Sequence, residues 1–302
     1  MLSEQRYTEY DPWAWLYNHT MGVQYCKKQL QPISLLLLSH LPANAHLLDL
    51  CCGTGQLMQL LLEQGYQVTG LDGSDAMLHY ARQNAPQAQL ISGDARHFEL
   101  PPIFDGVFST SASLNHMMSL KELKAVFHNV YAALKDGGVF LFDLNHALQM
   151  KKWWRGQVVE AEVTAKFAWS ITPVYEPNEK IGNFKVTLFQ APQSTKSPQK
   201  NRFYFSSLIT PLKATLRQLL YKLLSLRLLT YRRLKLLAQF QDWEPNWQKQ
   251  EVVYQVRGYT PTEVKLALEE TRFTDIKICT LDGRSPIDEN HSAYFLCHKP
   301  FV

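Results

Sequence analysis

Acidic residues end three short apolar runs, and a Gly-x-Gly turn follows the first of them. Asp49 comes just before the turn that contains Gly53 and Gly55. Asp72 and Asp94 end the next two runs. Glycine has no Cβ, so a ligand can approach the backbone of such a turn closely. A carboxylate at the tip of the second strand could accept hydrogen bonds from both hydroxyls of a ribose, so the spacing predicts a nucleoside-binding site.

The predicted elements bring these acids to one edge of a sheet. Apolar runs alternate with segments of helical spacing, and in such doubly wound sheets ligands bind at the carboxyl ends of the strands. The predicted fold class is α/β, with a Rossmann-like seven-stranded doubly wound sheet. Strands are predicted at 45–51, 68–72, 90–95, 104–109, 138–144, 274–281 and 292–299, and helices at 25–40, 56–64 and 261–271.

Four motifs make the chain resemble class I S-adenosylmethionine-dependent methyltransferases, over about 1–145 and again from about 250 onward. The family pattern has an acid before a glycine-rich loop and an acid that ends strand two. It also has Gly-Asp-Ala at the end of strand three, found here at 93–95, and Leu-Lys-x-Gly-Gly before strand five, found at 134–138. The resemblance implies an enzyme that uses S-adenosyl-L-methionine.

The resemblance also implies which residues hold the cofactor. The loop at 51–55 would hold the methionine moiety, the second-strand acid the ribose, and the Gly-Asp-Ala motif the adenine. Many relatives have glycine where this chain has Cys51, so the backbone there should take a conformation that a Cβ tolerates. The implied cofactor-binding residues are Tyr17, Asp49, Cys51, Cys52, Gly53, Gly55, Asp72, Gly73, Asp94, Ala95 and Ser109.

Two rival phosphate-binding signatures fit less well. A dinucleotide-binding turn needs a small residue three positions after the second glycine, where this chain has Met58. A P-loop is excluded because no Gly-Lys-Ser/Thr follows the turn. A nicotinamide-binding or non-enzymatic Rossmann protein therefore stays as the less favoured alternative.

The chain divides into a core, 1–150 and 251–302, and an insertion at 151–250. The opening segment is rich in aromatic residues. By resemblance this segment would form a lid, with Tyr17 near the methionine end of the cofactor. The alternative is that the segment packs on the sheet as part of the core. Within the insertion, β-type segments at 157–165, 167–175, 181–190 and 201–208 predict an antiparallel roof over the substrate. A helix start is expected at Thr260, with Glu263 three residues later and Pro261 at the first position.

The segment 211–240 departs from this β pattern. Leucines recur at three- and four-residue spacing, lysines and arginines accompany them, and no acid occurs between the two ends. The pattern predicts a long amphipathic helix. It could pack as a lid, lie on an anionic membrane surface as a peripheral contact, or form a homodimer contact.

Composition sets further bounds. A chain of 302 residues with 46% hydrophobic content can bury a full α/β core and an additional module. A net charge of +4 does not by itself indicate a nucleic-acid partner. The five cysteines have no CxxC spacing and no even count, so we expect no metal site and a reducing, cytoplasmic location. No apolar run approaches the ~20 residues of a membrane-spanning helix.

The acceptor is a small molecule methylated at nitrogen or oxygen. A membrane-associated enzyme acting on a lipid or quinone-like compound is the alternative. The segment after strand four lacks the Asn/Asp-Pro-Pro-Tyr/Phe element of methyltransferases that act on planar amines, which argues against DNA adenine as acceptor. His116 is the tentative general base. Methyl transfer is an in-line displacement that depends mainly on alignment of the reactants, so a dedicated base is optional.

Overall fold

The computed structural model describes residues 9–192, 237 and 239–301. The strand predicted at 201–208 lies outside the described residues. So does the amphipathic helix predicted at 211–240, apart from positions 237, 239 and 240. The chain forms two compact units. The first comprises Met1–Trp153, Pro177–Ile181 and Val256–Val302, and the second Trp154–Glu176 and Gly182–Gln255.

A seven-stranded sheet forms the centre of the first unit, in the order β10-β11-β5-β4-β1-β2-β3. β3, β2, β1, β4 and β5 pair in parallel, whereas β11 is antiparallel to both of its neighbours. The predicted Rossmann-like sheet is therefore confirmed. Its strands are β1 (His46–Leu50), β2 (Gln67–Asp72), β3 (Gln89–Ser92), β4 (Phe104–Ser109), β5 (Leu134–Leu144), β10 (Thr274–Cys279) and β11 (Ala293–His298).

Helices cover both faces of this sheet, which is why its central strands are almost wholly apolar. Alternate residues of β5 enter opposite cores, because successive side chains of a strand point to opposite faces. Phe140 and Phe142 pack with helix α5, while Val139 and Leu141 pack on the other side with α3. The helices of this unit are α1 (Ala14–His19), α2 (Met21–Leu36), α3 (Gln56–Leu62), α4 (Asp75–Asn84), α5 (Leu120–Ala133), α6 (Ala147–Trp153) and α8 (Pro261–Glu270).

Local capping explains where two of these helices begin. At α8, the Glu263 backbone N–H donates to Thr260 Oγ1 at 3.2 Å, and the Thr260 N–H donates to Glu263 Oε2 at 2.9 Å. Pro261 occupies the first turn, so the predicted start is confirmed. Ser119 and Glu122 form the same reciprocal cap on α5. Two elements begin four residues earlier than predicted: α2 begins at Met21, and β5 begins at Leu134.

The second unit is built around a four-stranded sheet, in the order β6-β7-β8-β9. Its strands are β6 (Glu160–Val163), β7 (Phe167–Glu176), β8 (Ile181–Gln190) and β9 (Gln248–Arg257). The short helix α7 (Phe240–Trp243) precedes β9 in the chain. β6 and β7 pair antiparallel, as expected for the insertion. Phe189, Phe240 and Trp247 form an apolar cluster on this sheet.

Among the described residues, no helix has the length and hydropathy needed to cross a membrane.

Candidate active site

A cleft opens at the carboxyl ends of β1, β2 and β4, where the order of the strands in the sheet reverses. Its walls come from the glycine loop after β1, the ends of β2 and β3, and the segment after β4. The cleft holds about 820 Å³ of space that is open to solvent on one side. The position is the one at which doubly wound sheets bind ligands.

Asp72 joins two parts of the cleft. Its Oδ2 accepts the Gly53 backbone N–H at 2.8 Å, and its Oδ1 accepts the Ser74 N–H at 2.9 Å. A carboxylate has about four lone-pair positions, so these bonds leave capacity for a ligand. Burial raises the pKa of Asp72 to about 6, although these backbone N–H groups oppose the shift. The carboxylate is thus charged at neutral pH and able to accept two ribose hydroxyls.

The glycine loop contains one unexpected conformation. Cys51 has φ +63°, in the small left-handed region that residues with a Cβ rarely adopt. A residue with a Cβ in this region costs about 1–2 kcal/mol relative to ordinary backbone. The Cys52 N–H donates to the Leu71 carbonyl at 3.1 Å, which ties the loop to β2. Gly53, with φ +55°, leaves room in the cleft, since a Cβ there would meet only Tyr17 at 3.9 Å.

Met58 lies fully buried between α3 and β2. A Cβ added to Gly70 would come within 2.5 Å of Met58 Sδ and 2.8 Å of Cys52 Sγ. Gly70 thus provides the room that the bulky Met58 occupies. In dinucleotide-binding proteins the small residue is on the helix instead, where it allows close packing on the strand. The packing is consistent with the weaker fit of a nicotinamide cofactor.

The opening segment closes one side of the cleft. Asp11 Oδ1 accepts the Ser74 hydroxyl at 2.5 Å, next to the cleft acid Asp72. Farther along, Asn18 Oδ1 accepts the side-chain amides of Gln56 and Asn84, at 2.8 and 2.7 Å. These bonds hold the segment to the glycine loop and to α4. The lid interpretation of the aromatic segment stays a prediction.

Two tyrosines of this segment line the cleft. Tyr17 lies beside the glycine loop, and burial raises the pKa of its hydroxyl well above the ordinary value. The Tyr10 hydroxyl lies 2.8 Å from His116 Nε2, and both side chains belong to the cleft wall. His116 ends a short 3-10 helix, Ser113–His116, that follows β4. The sequence predicted a cleft position for His116 but not its contact with Tyr10.

Asp94 lines the end of the cleft that the family resemblance assigns to the adenine, here called the adenine end, and Arg96 binds its carboxylate. Arg96 Nε lies 3.0 and 3.1 Å from the two Asp94 oxygens, and Nη2 lies 2.6 Å from Oδ2. Burial opposes ionisation, but these hydrogen bonds hold the pKa of Asp94 below its usual value. Arg96 Nη1 also contacts Glu122 Oε1 at 2.8 Å, and Glu122 Oε2 accepts the Met118 N–H at 2.6 Å. The network links the adenine end to the segment that carries His116.

The predicted cofactor residues fall into two groups. Tyr17, Cys51, Gly53, Asp72, Gly73, Asp94 and Ala95 line the cleft. Asp49, Cys52, Gly55 and Ser109 are outside its lining; the side chains of Asp49 and Ser109 are almost fully buried. Burial, reinforced by Asp72, raises the pKa of Asp49 well above its ordinary value. Direct contact between the second group and a cofactor stays a prediction.

The sequence did not assign some of the cleft residues to the site. Ser111, Ser113 and Met117, which follow β4, and Met77 in α4 contribute to the walls. The serine-rich segment after strand four was the available signal, but periodicity cannot show which side chains face a ligand. No group of three or more metal-ligating residues occurs in the part of the chain that the structure describes.

Comparisons with known proteins give the fold and the site a context. A family model described as a methyltransferase domain matches residues 47–138. A putative methyltransferase from Bacillus subtilis, YqeM, is 33% identical over 114 residues, which are 36% of this chain and 46% of the relative. A dTDP-3-amino-3,4,6-trideoxy-alpha-D-glucopyranose N,N-dimethyltransferase from Streptomyces venezuelae is 32% identical over 122 residues, 40% of this chain and 48% of the relative. The chain thus spans about half the length of these relatives.

The fold comparison extends further along the chain. A structure of an S-adenosylmethionine-dependent methyltransferase from Clostridium acetobutylicum has a TM-score of 0.65, covering 96% of this chain and 99% of that chain at 16% identity. At this identity the likeness shows the fold. The sheet order, the acid at the end of β2 and the matched domain agree with one another. Residues 47–138 therefore match a methyltransferase domain, and the chain has the fold of solved S-adenosylmethionine-dependent methyltransferases.

Proposed function

We propose that the protein transfers a methyl group from S-adenosyl-L-methionine to a nitrogen or oxygen of a small molecule. The observation that carries the proposal is the position of the Asp72 carboxylate. It is held by the N–H groups of Gly53 and Ser74, lines the cleft, and keeps lone-pair capacity for a ribose.

The residues present fit this cofactor along the whole cleft. Asp72 would hold the ribose hydroxyls, and the open backbone at Gly53 would lie against the methionine end. Ala95 and the neighbouring Asp94 would face the adenine, with Asp94 already engaged by Arg96. S-adenosylmethionine supplies a sulfonium-activated methyl group, so the protein mainly aligns the acceptor and excludes water.

Nitrogen is the favoured acceptor atom. The printed name of the Streptomyces venezuelae relative describes N,N-dimethylation of an amino sugar nucleotide. The match to that relative covers 40% of this chain, so it supports the chemistry more than a particular sugar. Oxygen is the second candidate for the acceptor atom. The membrane-associated alternative depends on 211–240, which lies outside the described residues, and no described feature favours it.

His116 is proposed to act beside the transferred methyl group. Its Nε2 lies 2.8 Å from the Tyr10 hydroxyl, so the pair can hold the opening segment over the cleft. A role as general base stays a prediction. A reducing, cytoplasmic location is likewise proposed, because the five cysteines are all free thiols.

Incubation with methyl-labelled S-adenosylmethionine tests the proposed function. The acceptors would be amino sugar nucleotides, their hydroxyl counterparts, and metabolite extracts of the source organism. We expect label in an amine product and formation of S-adenosylhomocysteine. Binding of S-adenosylhomocysteine without labelled product from any of these mixtures would refute the proposed activity and leave the cofactor site intact.

A further inference from the structure

A second cavity meets the cofactor cleft at Ser111, which lines both. We call it the polar pocket, and define it by Tyr25 and Lys28 of α2, Ser111, Asp143 near the end of β5, Asn145 just after β5, and Ser292 before β11. It holds about 640 Å³ of space that is open to solvent. A methyl acceptor must come within about 3–3.5 Å of the transferred carbon. A ligand in a cavity that shares a wall with the donor cleft can meet this requirement.

The polar pocket contains one deeply buried acid. The side chain of Asp143 is only 3% exposed, and its Oδ1 accepts the Ala112 N–H at 3.2 Å. Among the described residues no cation pairs with this carboxylate. A buried carboxylate without a cation is costly, so the site favours a ligand that carries one.

The rest of the polar pocket offers hydrogen-bond donors. Lys28 is exposed, forms no ion pair with an acid in the described part of the chain, and lies 5.8 Å from the centre of the Tyr25 ring. Asn145 Oδ1 accepts the Ser292 hydroxyl at 3.0 Å, which turns the amide N–H₂ of Asn145 away from that bond. Lys28 and Asn145 can therefore donate to oxygen atoms of a ligand, while Asp143 accepts from its nitrogen.

The backbone beside the acid is strained. Ser111 and Ala112 both adopt the left-handed region, with φ +60° and +57°. Neither is glycine, and consecutive left-handed residues with a Cβ are uncommon. Such strain persists where the surrounding structure requires it and clusters at ligand sites. Here it aims the Ala112 N–H at Asp143 and places Ser111 between the two cavities.

We propose that the polar pocket is the acceptor subsite, in which Asp143 holds the amino group of a small, hydroxyl-bearing aliphatic amine. The proposal rests on the proposed function and specifies its substrate class. An ammonium must lose a proton before its nitrogen can bond to a methyl group. The N–H bond breaks, the electron pair stays on nitrogen, and the proton bonds to a carboxylate oxygen of Asp143.

The acidity of Asp143 suits this proton transfer. Burial raises the pKa of Asp143 to about 7, against the lowering effect of the Ala112 and Ser111 N–H groups. A proton acceptor works best when its pKa lies near the working pH. The other titratable groups around it are Tyr25 and Lys28 from α2 and Tyr294 from β11, and burial with the Asp143 charge raises the pKa of Tyr294.

Calorimetric titration of the full chain, saturated with S-adenosylhomocysteine, tests the proposal with two sugars. D-Glucosamine carries the amine, and D-glucose, which has a hydroxyl in its place, is the neutral control of nearly the same shape. We expect D-glucosamine to bind at least about tenfold more tightly, since one charge-assisted contact contributes more than about 1.4 kcal/mol. Equal affinities, or no binding of D-glucosamine, would overturn the proposal. This comparison uses the wild-type chain and does not depend on a variant.

Asp143→Asn then locates the contact. The variant keeps an oxygen for the Ala112 N–H and removes the charge. We expect it to lose the preference for D-glucosamine while its affinity for S-adenosylhomocysteine changes less than about twofold. Asp136→Asn, at the other end of the same strand, is the matched control and should behave as wild type. An unchanged preference in Asp143→Asn would refute the assignment, whereas failure of S-adenosylhomocysteine to bind wild type would refute the proposed function instead.

Discussion

Replacement of Asp72 by asparagine should weaken cofactor binding strongly. The carboxylate accepts the Gly53 and Ser74 N–H groups at 2.8 and 2.9 Å, and its remaining lone pairs face the cleft. An amide has one acceptor oxygen, so its N–H₂ must face one of these two donors. Two charge-assisted bonds to the ribose become neutral or are lost, which costs about 2–4 kcal/mol. The expected increase in Kd for S-adenosylhomocysteine is roughly 30- to 1,000-fold.

The assay is calorimetric titration at pH 8 and again at lower pH. Since burial raises the pKa of Asp72 to about 6, wild type should lose affinity as pH falls through 6, where the carboxylate takes up a proton. Asp72→Asn has no such group, so its affinity should not follow this titration.

Asp75→Asn is the matched control, because Asp75 accepts the Ser92 hydroxyl outside the cleft lining. An affinity of Asp72→Asn within about twofold of wild type, in a folded variant, would refute the ribose assignment.

Three further perturbations test the packing and the electrostatics of the site. Gly55→Ala would place a Cβ 2.9 Å from Ala81 Cα, whereas the control Gly65→Ala has a similar φ and open space around it. Gly55→Ala should therefore lower the free energy of unfolding by at least about 1 kcal/mol more than Gly65→Ala. Urea unfolding that gives the two variants equal stability would contradict this. Arg96→Met should lower the free energy of unfolding by about 1–3 kcal/mol above pH 5. This difference from wild type should shrink toward pH 3, because Asp94, whose pKa Arg96 holds below its usual value, becomes protonated. A loss of stability that does not depend on pH would argue against the ion pair. His116→Ala removes the contact with the Tyr10 hydroxyl, so it should raise the Kd for S-adenosylhomocysteine about fivefold. The acidic limb of the pH–rate profile should remain. Loss of that limb would make His116 the general base.

Much of the fold could be predicted because its signals are local. β4 and β8 have the predicted bounds, Phe104–Ser109 and Ile181–Gln190, since each is a compact β-type run between turns. The position of Asp72 beside the glycine loop also followed from sequence, because strand ends of a parallel sheet meet at one edge. Predicted helix ends were less accurate, as shown by α2, which begins at Met21.

The contacts between distant segments could not be predicted. Asp11 and Ser74 are 63 positions apart, and Tyr10 and His116 are 106 apart, so no spacing rule connects them. The burial of Ser109 was also missed, since a strand end does not show which way its last side chain points. Ser111 became informative only through its place between two cavities.

One titration tests the central claim most directly. Wild-type protein would be titrated with S-adenosylhomocysteine and, separately, with NAD under the same conditions. The cleft at Asp72, with Met58 packed on Gly70, predicts one-to-one binding of S-adenosylhomocysteine and no measurable binding of NAD. Binding of NAD with no binding of S-adenosylhomocysteine would contradict the methyltransferase assignment.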